Sequence, residues 1–189
     1  IRVMSRGPYG VPPYCPADLD GKKFFLADEG TPGQSGIWQT DGTAAGTRLV
    51  HAAGVGSIVR HREVFGMASF GGAIYFLKGG SAGNALWRTD GTTTVRVAAL
   101  PADARQLMQI GSRLMFTVQP VGGCELWSSD GTAAGTSKVL SLCSSNSRTP
   151  QMFTPAGDRL FFAADPVGAG LDLWVTDGST AGTRRVVDK

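Results

Sequence analysis

Four segments carry the reading of this chain: Ile37-Trp38-Gln39-Thr40-Asp41-Gly42-Thr43, Leu86-Trp87-Arg88-Thr89-Asp90-Gly91-Thr92, Leu126-Trp127-Ser128-Ser129-Asp130-Gly131-Thr132 and Leu173-Trp174-Val175-Thr176-Asp177-Gly178-Ser179. They contain all 4 tryptophans of the 189-residue chain, spaced 49, 40 and 47 residues apart. A fixed period of this length marks a stacked repeat architecture rather than an irregular globule. Three of the copies continue into a Gly-Thr pair, at Gly46-Thr47, Gly135-Thr136 and Gly182-Thr183; the second runs Thr92-Thr93-Thr94-Val95 and lacks it.

Upstream of each tryptophan lies a short apolar run: Phe24–Ala27, Ile74–Leu77, Leu114–Val118 and Leu160–Ala164. Runs that are apolar on both faces and bounded by turn residues read as fully buried strands. Each is preceded by a tight-turn pair, Asp20-Gly21, Gly71-Gly72, Gly111-Ser112 and Gly157-Asp158, which predicts a hairpin from a preceding inner strand. A further strand follows each Asp-Gly-Thr turn, as at Arg48-Leu49-Val50 and Arg184–Val187. The expected fold is therefore all-β, with four units of about four antiparallel strands and no convincing helix. Sheets that are hydrophobic on both faces must stack on one another, and closing them into a ring removes the open ends. We expect a four-bladed β-propeller forming a single domain, with blades near 15–50, 51–100, 101–140 and 141–189 and residues 1–14 as an N-terminal extension. An open fragment of a longer array produces the same pattern.

At these residues the chain resembles the bacterial ELWxxDGT repeat family, known from large surface or secreted proteins of myxobacteria and their relatives. The leading Glu of that motif is present as Glu125; Asp172 is a near relative, and Gly36 and Ala85 are departures. The resemblance implies an extracellular repeat protein and brings no activity with it.

Composition narrows the function classes. Hydrophobic residues make up 42% of the chain and charged residues 17%, which suits one well-buried domain rather than a disordered tail. No apolar run reaches the roughly 18 residues that span a bilayer, and residues 1 to 30 show no signal-peptide pattern. The net charge of +3 arises from 18 basic and 15 acidic residues scattered along the chain, too weak a balance to imply nucleic acid.

The Asp-Gly-Thr turns invite comparison with cation sites, yet each offers one acid, not the several spaced acids of a calcium loop. Asp41, Asp90, Asp130 and Asp177 are better read as turn formers that accept backbone N–H bonds. Trp38, Trp87, Trp127 and Trp174 are read as packing residues between units in preference to sugar-stacking platforms, with Trp127 and Trp174 buried. No metal and no cofactor is expected. Catalytic signatures are missing: there is no His-Glu-x-x-His, no Gly-x-Ser-x-Gly, no phosphate loop and no dinucleotide fingerprint. A propeller glycosidase built from carboxylates converging across blades is the enzymatic alternative.

A binding site belongs where the units differ. Residues 51–65 hold both histidines, His51 and His61, and the cluster Arg60-His61-Arg62-Glu63; Arg60, His61 and Arg62 are candidate anion contacts. The Pro- and Gly-rich start presents Tyr9 and Tyr14 to a partner. The expected function is a secreted or cell-surface binding module for carbohydrate or protein, with a structural segment of a larger adhesin-like array as the alternative.

Three cysteines remain: Cys15, Cys124 and Cys143. With the turn of the third unit centred between Ala133 and Ala134, an unbulged hairpin sets Cys124 opposite Cys143, close enough for a disulfide. The competing pair is Cys15 with Cys143, which would tie the first blade to the last.

Overall fold

The computed structural model describes residues 14–28, 35–52, 64–79, 83–144, 150–166, 168 and 170–186. These residues form four antiparallel sheets of four strands each. The first holds β1 (Tyr14–Leu19), β2 (Lys22–Asp28), β3 (Ser35–Thr40) and β4 (Arg48–Ala52). The second holds β5 (Val64–Phe70), β6 (Ala73–Lys78), β7 (Asn84–Thr89) and β8 (Thr94–Leu100). The third holds β9 (Asp103–Ile110), β10 (Arg113–Gln119), β11 (Gly123–Ser129) and β12 (Ser137–Ser144). The fourth holds β13 (Gln151–Ala156), β14 (Arg159–Ala164), β15 (Asp172–Thr176) and β16 (Arg184–Arg185). In each sheet the strands follow one another in chain order, and the fold is a β-propeller of four blades. β12 carries the third blade on to Ser144, past the expected boundary at 140, and β4 carries the first to Ala52.

The blades meet along their inner strands, β1 beside β5, β5 beside β9 and β9 beside β13. Three apolar clusters fill the joints. Phe24, Leu26 and Ile37 of the first blade pack on Met67, Ile74 and Phe76 of the second. Tyr75, Leu77 and Leu86 of the second pack on Leu107, Leu114 and Phe116 of the third. Met115, Leu126 and Leu142 of the third pack on Leu160 and Phe162 of the fourth. Successive residues of a strand point to opposite faces, so β6 sends Ile74 and Phe76 backward and Tyr75 and Leu77 forward. That is why the second strand of each blade reads as an unbroken apolar run. A fully buried Phe or Leu contributes on the order of 2 to 3 kcal/mol, so each joint is a substantial share of the stability.

The Asp-Gly-Thr turn also enters the joint. Gly91, Gly131 and Gly178 have φ near +90°, a conformation that favours glycine. Each also lies against the preceding blade: Gly91 on Gln39 and Phe24, Gly131 on Tyr75 and Phe70, Gly178 on Arg113 and Met115. Two of the glycine carbonyls accept a hydrogen bond from that blade, Gly91 O from Arg48 Nη2 (2.6 Å) and Gly131 O from the Tyr75 hydroxyl (3.2 Å).

Cys124 pairs with Cys143 across β11 and β12 and is disulfide-bonded to it, with Cα atoms 5.1 Å apart. The alternative bridge from Cys15 to Cys143 is thereby excluded. The hairpin is not unbulged, however: its register shifts between Cys124 and Glu125 and again between Leu126 and Trp127.

Candidate functional site

The repeat's carboxylates come first, because four equivalent acids are the obvious chemistry of the chain. In the first blade Asp41 Oδ1 accepts the Thr43 backbone N–H (2.9 Å) and the Thr43 hydroxyl (2.7 Å). The Thr43 hydroxyl oxygen then accepts the Gly46 N–H (2.9 Å), and the Thr47 hydroxyl donates to Thr43 O (2.6 Å). Asp130 with Thr132, Gly135 and Thr136, and Asp177 with Ser179, Gly182 and Thr183, repeat this network. A Cβ on Gly46, Gly135 or Gly182 would collide with the carboxylate of its own turn, which accounts for the Gly-Thr pair of the motif. The second blade lacks that pair and closes a shorter loop: Arg88 pairs with Val95, where Gln39 pairs with Arg48. There Asp90 Oδ1 accepts two backbone N–H groups, from Thr92 and Thr93, both at 2.7 Å.

These bonds hold the acids ionised. Donation from the Thr43, Thr132 and Ser179 hydroxyls, then from their backbone N–H groups, lowers the pKa of Asp41, Asp130 and Asp177; for Asp90 the Thr93 and Thr92 N–H groups do so. Among the described residues no three of His, Cys, Asp and Glu gather as a metal would require.

The tryptophans pack on their own blades. The Trp87, Trp127 and Trp174 rings lie 6.4, 6.4 and 6.5 Å from the Phe76, Phe116 and Phe162 rings, in stacked orientation. All three are half-buried, short of the full burial expected for Trp127 and Trp174, whereas Trp38 is 2% exposed. Long neighbours shield part of the exposed edges: Lys78 Nζ sits 5.8 Å above Trp87, and Glu125 accepts the Trp127 indole N–H (2.8 Å) while pairing with Lys138 (3.2 Å).

Beside Trp87 lies His51, with ring centres 5.5 Å apart, and Lys78 Nζ is 3.1 Å from His51 Nε2. Burial, reinforced by the Lys78 charge, pushes the imidazole down to about 4, so it is neutral near pH 7 and accepts from Lys78.

Where the third and fourth blades meet, three turns open a polar cleft of about 240 Å³. Ser112 and Arg113 come from the β9–β10 turn and the start of β10, Asp158 from the β13–β14 turn, and Asp177 and Ser179 from the β15–β16 turn. Ser112, Arg113, Asp158, Asp177 and Ser179 thus line a common space, the Asp177 carboxylate and the Ser179 hydroxyl being bonded to each other within their turn. Such a lining offers donors and acceptors of both kinds without a dominant charge, which suits a polyhydroxyl or mixed polar surface. In the sequence Asp177 reads as a turn former and Gly111-Ser112 and Gly157-Asp158 as turns. Only the stacking of the blades brings them together. Of the residues expected to bind a ligand, Tyr9, Arg60, His61 and Arg62 lie outside the described residues, and Tyr14 is described only by its backbone, paired with Leu26 at the edge of the first sheet.

Stacked four-stranded blades, a repeated Asp-Gly-Thr turn in each joint and a polar cleft at the hairpin ends define a β-propeller module. Solved structures agree on the fold. The chain is similar to TolB from Acinetobacter baumannii (TM-score 0.58, 13% identity, covering 94% of this chain and 44% of that one). It is also similar to a puromycin hydrolase (0.66, 12%, 92% and 28%) and to the Pyrococcus horikoshii acylaminoacyl peptidase (0.57, 13%, 92% and 27%). The chain therefore spans less than half the length of each of these proteins. No family model matches the chain, and no curated protein sequence matches it.

Proposed function

We propose that this chain is a non-catalytic binding module acting outside the cytosol, and that its described recognition surface is the cleft of Ser112, Arg113, Asp158, Asp177 and Ser179, with carbohydrate as the ligand class. The observation that carries the reading is the cleft lining itself, which gathers Ser112, Arg113, Asp158, Asp177 and Ser179 from three turns. A glycosidase needs a carboxyl group that stays protonated near neutral pH to serve as general acid. Asp177, held ionised by Ser179, does not meet that requirement for the acid. The hydrolase and the peptidase among the similar structures are chains of which this one covers little more than a quarter. The Cys124–Cys143 bridge favours an oxidising compartment, in keeping with a secreted or cell-surface location.

The test is a glycan array read with labelled wild type and Asp158→Ala, alongside hydrolysis assays on chromogenic glycosides. The reading expects retained glycan binding that falls at least tenfold in Asp158→Ala, and no released product. Equal binding by the variant or measurable hydrolysis would overturn it.

A second reading, a structural segment of a longer surface array, is favoured by the resemblance to the ELWxxDGT repeats, and the two readings are compatible.

A further inference from the structure

In the third and fourth blades an acid stands two residues before the tryptophan, and a base is paired with the tryptophan on the last strand. Trp127 pairs with Lys138, which bonds to Glu125 (3.2 Å); Trp174 pairs with Arg185, which bonds to Asp172 (3.1 Å). Side chains at i and i+2 of a strand, and those directly paired across strands, share a face, so acid and base meet beside the indole. The first blade carries neither member: Gly36 stands two before Trp38, and Trp38 pairs with Leu49. The second blade keeps the base without the acid, for Trp87 pairs with Arg96 while Ala85 holds the acid's position.

This blade also adds a second cation to that face. Lys78 pairs with Ala85 across β6 and β7, at a position where the other blades place Ala27, Val118 and Ala164. Its ammonium is held 3.1 Å from His51 Nε2, an acceptor that brings no negative charge. His51 in turn stands where the second and third blades carry Ala98 and Leu140. Among the described residues no carboxylate forms an ion pair with Lys78 or Arg96. Arg96 is exposed, and Lys78 and Trp87 are half-buried, so the group can be reached from solvent.

What satisfies such donors is seen in the third blade. There the Glu125 carboxylate takes the Trp127 indole N–H on Oε2 (2.8 Å) and the Lys138 ammonium on Oε1 (3.2 Å). In the second blade the Trp87 indole N–H, Arg96 and Lys78 flank a residue with no carboxylate to give. Guanidinium and ammonium groups bind carboxylates through charge-assisted hydrogen bonds, stronger than neutral ones. The Trp87 ring itself is already packed, with Phe76 stacked at 6.4 Å and His51 and Lys78 at 5.5 and 5.8 Å. That leaves a sugar ring little indole face to stack on, whereas a carboxylate on a short methylene arm, like that of Glu125, needs only the N–H edge.

We propose that Lys78, Trp87 and Arg96 form a binding site for an acidic side chain of a partner peptide, whose carboxylate takes the part that Glu125 plays in the third blade. The site belongs to the second blade, apart from the polar cleft between the third and fourth, and it holds whatever that cleft binds.

The test is titration of the nitrogen-15-labelled chain with the capped peptide acetyl-Gly-Glu-Gly-amide, followed at the indole N–H resonances. That of Trp87 is assigned by its loss in Trp87→Phe. A saturable shift of the Trp87 resonance in the millimolar range is expected. Lys78→Met and Arg96→Met should each weaken binding about tenfold, since each removes a hydrogen bond to a charged group. In Ala85→Glu the built-in carboxylate should move the Trp87 resonance towards its peptide-bound position and abolish the response to peptide. Should that variant fail to fold by circular dichroism, the two cation variants decide. The proposal is overturned by an absent shift, by an equal shift with the Gln counterpart of the peptide, or by unchanged affinity in either cation variant. Tighter binding of glucuronate than of the Glu peptide also overturns it, because the ligand would then be an acidic sugar.

Discussion

The indole N–H of Trp127 donates to Glu125 Oε2 at 2.8 Å, two residues earlier on the same strand, and Glu125 Oε1 reaches Lys138 on the next strand. Side chains at i and i+2 of a strand share a face, so a Glu placed there satisfies the tryptophan without help from another blade. Where the Glu is replaced, the indole N–H loses its acceptor: Trp38 Nε1, behind Gly36, and Trp174 Nε1, behind Asp172, are buried with no partner among the described residues. Glu125→Ala should lower stability by about 1 kcal/mol, the usual worth of such a bond. Asp172→Glu, longer by one methylene, should raise it by a similar or smaller amount. Thermal melts of the two variants check both signs. Gly36 cannot be corrected in this way, since a Cβ there would collide with the His51 carbonyl oxygen.

The Asp-Gly-Thr turns should behave as structural devices. Asp130→Ala removes the acceptor of two hydrogen bonds and should cost about 1 kcal/mol, a fall of roughly 2 to 4 °C in Tm for a chain of this size. Gly135→Ala should cost more, because the new methyl displaces the Asp130 carboxylate as well. Adding EDTA to wild type should leave Tm where it is; a drop would show that the carboxylates hold a cation.

The blade pattern was legible because apolar runs between glycine turns leave few alternatives: the four turn pairs at 20–21, 71–72, 111–112 and 157–158 join the strands that precede and follow them. Register was less so. With Ser128 opposite Ser137, an unbulged hairpin would bring Ser141, not Cys143, to face Cys124. Two bulges each add a residue to β12 and restore the cysteine pair. The pairing was thus anticipated through an assumed turn centre one residue too far along, compensated by irregularities that no residue pattern announces. The cleft was illegible for a different reason. Arg113, Asp158 and Asp177 are far apart in sequence, and only the angle between the third and fourth blades assembles them.

His51 makes stability depend on pH. Its pKa in the folded chain is about 4, below the ordinary 6.5, so between these values the unfolded chain binds the extra proton. Stability from this group is complete above about pH 6.5 and declines as pH falls towards 4. Because the ring is only half-buried, solvent screening reduces the effect, and a Tm decrease of about 2 to 4 °C is expected over that window. In His51→Gln the decrease should be smaller; an unchanged pH profile would remove the histidine from the explanation.

Each tryptophan strand and the strand after it form one hairpin of a propeller blade, closed by the Asp-Gly-Thr turn. Non-reducing peptide mapping of the chain, produced in an oxidising compartment, tests that claim at a single bond. The register of β11 and β12 predicts a cross-linked peptide joining Cys124 to Cys143. A peptide joining Cys15 to Cys143, or three free thiols, would contradict it.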